Sequence, residues 1–233
     1  MKKSIFISIS SLFISIIIFS TFSSVECRYL TRFASLWELC VTSTDIVKVV
    51  IDNVGTLYND GEIKEYWIVS ATVIHKYKGK LAVDEKIQVL SVKGYKDDIR
   101  ISAGILPVFA DNEYAILFLN DQLKFKELEK ENYLRNYSIL SGLAQGKFRI
   151  IRNSLTEEEY IIREKVEKPL EIKNKGDYSW LKDEELRNRL NKKIDIPEKF
   201  QKFNNKIIVN DVDAFPLKDF IELVEIFVEA EKK

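Results

Sequence analysis

One histidine, one methionine and two cysteines stand among 233 residues, and these shortages exclude whole classes of chemistry. A structural zinc site of the usual kind draws four ligands from Cys and His, and this chain holds only three such residues in all. A small disulfide scaffold needs several cystines. Eight glycines and four prolines are too few for a collagen-like chain, and 46% hydrophobic residues are too many for a disordered one. Charge of one sign is lacking too. Lys and Arg number 36 against 36 Asp and Glu, with no basic block, which argues against a nucleic-acid surface. No G-x-S-x-G, P-loop or dinucleotide glycine pattern occurs. The length suits one ordinary domain, or one domain with an appendage.

What is present begins with a leader. Lys2 and Lys3 open the chain, and no charge follows until Glu26. Residues 4–25 between them are rich in Ile, Phe and Ser. A basic start, an apolar run and a small-residue end make residues 1–26 a signal peptide. The lysines stay on the cytoplasmic side while the apolar helix partitions into the bilayer. Cleavage is expected after Ser23 or Ser24, or near Cys27. The run also reaches the ~20 residues that span a hydrocarbon core, so an uncleaved signal anchor is the alternative; the interleaved serines favour cleavage. Glu26 directly before Cys27 fits lipidation poorly. The chain is thus expected to be secreted or held at the cell envelope, or else anchored by one pass with the C-terminal domain outside. In that oxidising setting Cys27 and Cys40 can pair as a disulfide. The blander reading makes Cys40 a small buried apolar residue.

Residues 33–152 read as a β-barrel domain, and 153–233 as a charged linker with a helical C-terminal appendage. Phe33, Leu36, Trp37 and Cys40 recur at helical spacing, which predicts a short amphipathic helix. Ile46–Ile51 is a β-branched strand. From Tyr66 to Tyr77 the pattern alternates, with Trp67, Val69, Ala71 and Val73 on one face and Ser70, Thr72 and Ile74 on the other. Lys78-Gly79-Lys80 ends it, and Lys86–Val92 follows. Tyr114–Leu119 is an apolar run whose brevity fits a strand buried on both faces. Tyr137–Gly142 and Lys147–Ile151 suggest a hairpin pair around Gly142 and Gly146. Six strands at such spacing predict a mainly β fold, an OB-like or closed barrel of five to six strands, and α+β overall with the helices. Later, Trp180, Leu181, Leu186 and Leu190 suggest a helix near 179–192, and 163–176 reads as a flexible junction. Asp213 is expected to cap a final helix starting near Pro216. On that helix Phe220, Leu223, Val224, Phe227 and Val228 form one apolar stripe, which predicts packing on the β-body.

The search for chemistry returns few candidates. Any histidine-based triad must use His75, yet its place near a strand end, between Ile74 and Lys76, suits an exposed edge histidine. Asn210-Asp211-Val212-Asp213 lacks the glycine and distal Glu of a calcium loop; a turn and cap is the simpler reading. Asn59-Asp60-Gly61-Glu62 reads as a hairpin turn, and Glu157-Glu158-Glu159 as a solvated face. Asn136-Tyr137-Ser138 is a glycosylation sequon if the source is eukaryotic. No cofactor or metal is implied. Tyr66, Trp67 and Tyr77 gather on one strand. Such a row either stacks on a sugar or peptide or fills the barrel and packs under a helix.

The order of signals carries a resemblance. The segments SLWELCVTSTDIVKVVIDNV, ATVIHKYKGK, KIQVLSVKG, VFADNEYAILFLN and YSILSGLAQGKFRI resemble uncharacterised exported prokaryotic proteins. Their pattern is similar to the OB-like barrel of the netrin and metalloprotease-inhibitor type. The match covers about half the chain and is most specific at Glu113–Leu119 and Gln145–Phe148. Those inhibitors chelate a target's zinc through an N-terminal cysteine and carry several disulfides; that framework is missing here, so inhibition is not implied. The resemblance implies a fold, and a fold does not fix function. The expected function is an exported, non-enzymatic module recognising a protein or glycan at the envelope. The alternatives are a membrane-tethered assembly factor, touching the membrane only through residues 4–25, and an envelope hydrolase using His75.

Overall fold

A computed structural model describes residues 35–58, 64–95, 108–121, 137–141, 143–163, 172, 178–179, 181–201, 207–209 and 212–232. The leader, Cys27, the 59–62 turn, the sequon residue Asn136, Trp180, and Asn210 and Asp211 of the 210–213 segment lie outside these residues. So does all but Arg163 and Ile172 of the 163–176 junction.

Helix α1 (Leu36–Thr42) starts on a capping box. Ser35 Oγ accepts from the Glu38 amide at 3.2 Å, and Glu38 Oε2 accepts from the Ser35 amide at 2.6 Å. Five strands follow: β1 (Asp45–Tyr58), β2 (Lys64–Lys78), β3 (Lys86–Tyr95), β4 (Tyr114–Asp121) and β5 (Ser138–Leu140). β1 pairs antiparallel with β2 along one edge and with β4 along the other. β3 pairs antiparallel with β2, and β5 lies parallel to β3 and antiparallel to β4. The ring β1-β2-β3-β5-β4-β1 is therefore closed. This is the expected OB-like barrel. Three register shifts along the β1–β2 ladder mark bulges. Bulges add twist and bend a strand, which lets the long β1 coil far enough to reach two partners.

A 3-10 turn (Leu143–Gly146) leads into β6 (Lys147–Arg152), and β7 (Glu159–Ile162) pairs with β6. The hairpin expected between 137–142 and 147–151 is not formed. Both segments instead dock on the same edge of β4: β5 over Leu119–Asp121 and β6 over Ala115–Leu117. The reason lies at the turn. The Ser141 amide donates to Phe118 O at 2.8 Å, and a Cβ on Gly146 would lie 2.6 Å from Ser141 O and 2.8 Å from Phe118 O. The turn is pressed flat against β4, so the chain steps along that strand and does not fold back on itself.

The C-terminal third supplies strands as well as helices. Helix α2 (Glu184–Asn191) is capped by Asp183, which accepts from the Leu186 amide at 2.9 Å. A short helix α3 (Glu198–Gln201), strands β8 (Ile207–Val209) and β9 (Val212–Pro216) and helix α4 (Leu217–Lys232) follow. β9 pairs with β7 and β8 with β9, extending the sheet beyond β6. Asp213 sits opposite Ile208 in this ladder. It belongs to a strand and is not the expected helix cap, because Pro216 ends β9 and the helix begins one residue later.

Strand alternation divides the core in two. Val47, Val49 and Ile51 of β1, Val69, Ala71 and Val73 of β2, and Ala115, Leu117 and Leu119 of β4 fill the barrel. Ile46, Ile116, Phe118, Phe148 and Ile161 point the other way, against Leu36, Trp37 and Leu39 of α1 and Phe220, Leu223, Val224, Phe227 and Val228 of α4. β4 is thus buried on both faces, as its unbroken apolar run predicts. Trp37 meets Phe227 edge-on at 5.4 Å and donates through Nε1 to Leu190 O at 2.9 Å, tying α1, α2 and α4 together.

Candidate functional site

The buried polar groups divide into fasteners and a more open arrangement. At one end of the barrel, segment 108–113 turns inward. Phe109 is 7% exposed and belongs to the barrel core. Asn112 there adopts a left-handed φ of 62°, which Asn tolerates better than most residues. Lys147 Nζ contacts Glu113 Oε1 at 2.5 Å, lies 4.6 Å from the Phe109 ring centroid and donates to Val108 O. Glu113 Oε2 accepts from the Ala110 amide at 3.1 Å. The lysine and the carboxylate are 3% and 4% exposed.

A second fastener is Asp45. Its Oδ1 accepts from the Lys80 amide at 2.7 Å and the Leu81 amide at 3.1 Å, holding the turn that leaves β2. Gly79 in that turn has φ +98°, and a Cβ there would fall 2.1 Å from Asp45 Oδ1. A third joins the helices. Glu231 of α4 accepts from Lys78 at 2.5 Å and also from Arg189. Lys78 donates to Cys40 O and Arg189 to Val41 O, each at 2.7 Å. These cations satisfy carbonyls at the C-terminal end of α1 that have no partner within the helix.

The residues singled out from the sequence are dispersed. Trp67 is half-buried and packs on the barrel core. Tyr77 is half-buried and packs on the helix-layer core. The two rings therefore do not share one face. The cause is the bulged ladder: Ile74 and Tyr77 are passed over in the pairing of β2 with β1, and each extra residue upsets the strict alternation. Tyr66 pairs with Leu57 and Val92 through its backbone, and its side chain lies outside the description. Burial, with a smaller push from Glu225, raises the Tyr77 phenol to about 12. His75 is exposed, its ring 4.6 Å from that of Tyr77. Cys40 is a free thiol with 0% exposure, and burial pushes its pKa well above the ordinary thiol value. Its suggested partner Cys27 is outside the described residues. Among the described residues no group of three or more His, Cys, Asp or Glu is placed to hold a metal, and no helix is long and apolar enough to cross a membrane. The α4 stripe is not a free surface, since Phe220, Leu223 and Phe227 are each 0% exposed.

The arrangement that remains is a groove of about 1010 Å³ beside the start of α4. Lys48 of β1, Arg152 of β6, the β6–β7 turn with Tyr160, and Pro216, Lys218 and Ile221 form its walls. The sheet order brings together residues more than 160 positions apart. Two of its carboxylates are engaged: Glu157 contacts Arg152 at 3.2 Å, and Glu158 accepts from the Tyr160 hydroxyl at 2.6 Å. That bond, first among its causes, raises the Tyr160 pKa. In the sequence the 157–159 run reads only as a solvated face. Nothing in local spacing ties it to Lys48 or Lys218. Comparison of the chain with protein-family models, curated proteins and solved structures finds no match.

Proposed function

We propose that the chain is an exported, non-catalytic module that binds a protein or glycan partner at the cell envelope. The leader supports export, and the groove beside α4 supports binding. It combines an amphipathic ring (Tyr160), apolar contacts (Pro216, Ile221) and charges of both signs (Lys48, Lys218, Glu159, Asp219) around one solvent-open concavity. Recognition surfaces of this kind pair apolar contact with a few oriented polar groups. The fold beneath is suited to hold them still, because β1, β6, β7, β9 and α4 are fixed by ladder bonds and a shared core.

Site-specific crosslinking tests this reading. The full chain carries a photoreactive residue at Tyr160 or, as control, at Val83, which is 53% exposed in the β2–β3 turn. Illumination in the source organism's envelope fraction is expected to give discrete adducts from position 160 and none from position 83. Equal or absent labelling from the two sites would count against the groove. Sequencing the N-terminus of the same material distinguishes a cleaved, secreted form from one tethered through residues 4–25.

A further inference from the structure

We draw no further inference here: the strongest candidate, the buried Cys40 thiol near the C-terminal end of α1 where Lys78, Arg189 and Glu231 meet, is a lone cysteine, and no second feature among the described residues points to a ligand there.

Discussion

Glu113 and Lys147 meet 2.5 Å apart with their side chains almost wholly buried, and this contact joins two separate stretches of the sequence. One opens β4; the other opens β6, whose Lys147 stands opposite Leu117 in the ladder. The pair also holds segment 108–113 against the barrel, with Phe109 in the core.

Removing one partner leaves the other as an uncompensated buried charge, a loss of ~3–5 kcal/mol. Glu113→Gln and Lys147→Met should each lower stability by about that amount in urea denaturation. The double variant Glu113→Leu with Lys147→Met should recover much of the loss, because two apolar groups need no pairing. Single variants within about 0.5 kcal/mol of the parent would show that the pair is not buried as described.

The turn leaving β2 offers a separate test. Gly79→Ala asks a side chain to occupy a left-handed φ of +98° with Asp45 Oδ1 2.1 Å away. Its cost should exceed the ~1 kcal/mol typical of glycine replacement. In an Asp45→Ala background the same change should cost less, since the carboxylate is gone while the left-handed φ and Thr44 O, 2.6 Å from the added Cβ, remain. Strict additivity in a double-mutant cycle would contradict the contact.

The α4 stripe is expected to behave as core. Phe220 packs against Phe148 at 4.8 Å and Phe118 at 6.4 Å between ring centroids, so Phe220→Ala should cost ~3–5 kcal/mol. Leu155, 91% exposed in the β6–β7 turn, should tolerate alanine within about 0.5 kcal/mol. Thermal denaturation of the two variants side by side would reveal any departure from that order.

Alkaline pH should weaken the fold in two steps. Burial raises both the Cys40 thiol and the Tyr77 phenol in the folded state. Each group is therefore protonated when folded at a pH where the unfolded chain has begun to lose the proton. The stabilisation is complete below the ordinary values of 9.0 and 10.0 and is lost as pH rises through them, for Tyr77 up to about 12. Cys40→Ala should flatten the first decline and Tyr77→Phe the second. The native thiol should also resist a thiol reagent until denaturant is added; rapid labelling of the folded chain would contradict its burial.

Much of this architecture is legible in residue order because each signal is local. The alternation through Val69, Ala71 and Val73 marks one face of β2. The unbroken run from Tyr114 to Leu119 marks a strand with two packed faces, and the spacing of Phe220, Leu223 and Phe227 marks the buried side of α4. What escapes the sequence depends on partners far along the chain. Periodicity finds β5 and β6 but cannot say that both dock on β4, since Gly146 looks like any turn glycine until Phe118 O is beside it. The bulges of β2 carry Tyr77 to the helix side, where uninterrupted alternation would not have put it. The groove is the least visible feature, because its lysines, tyrosine and carboxylates are neighbours only through the order of strands.

Because Ile116 and Phe118 face outward on a strand whose Ala115, Leu117 and Leu119 face inward, β4 serves as a party wall between two rooms. A fragment ending at residue 152 would lose α4 and leave α1 alone to cover Ile116 and Phe118 on one side of that wall. Such a truncation is expected to expose apolar surface that α4 buries, and to aggregate more readily than the full chain.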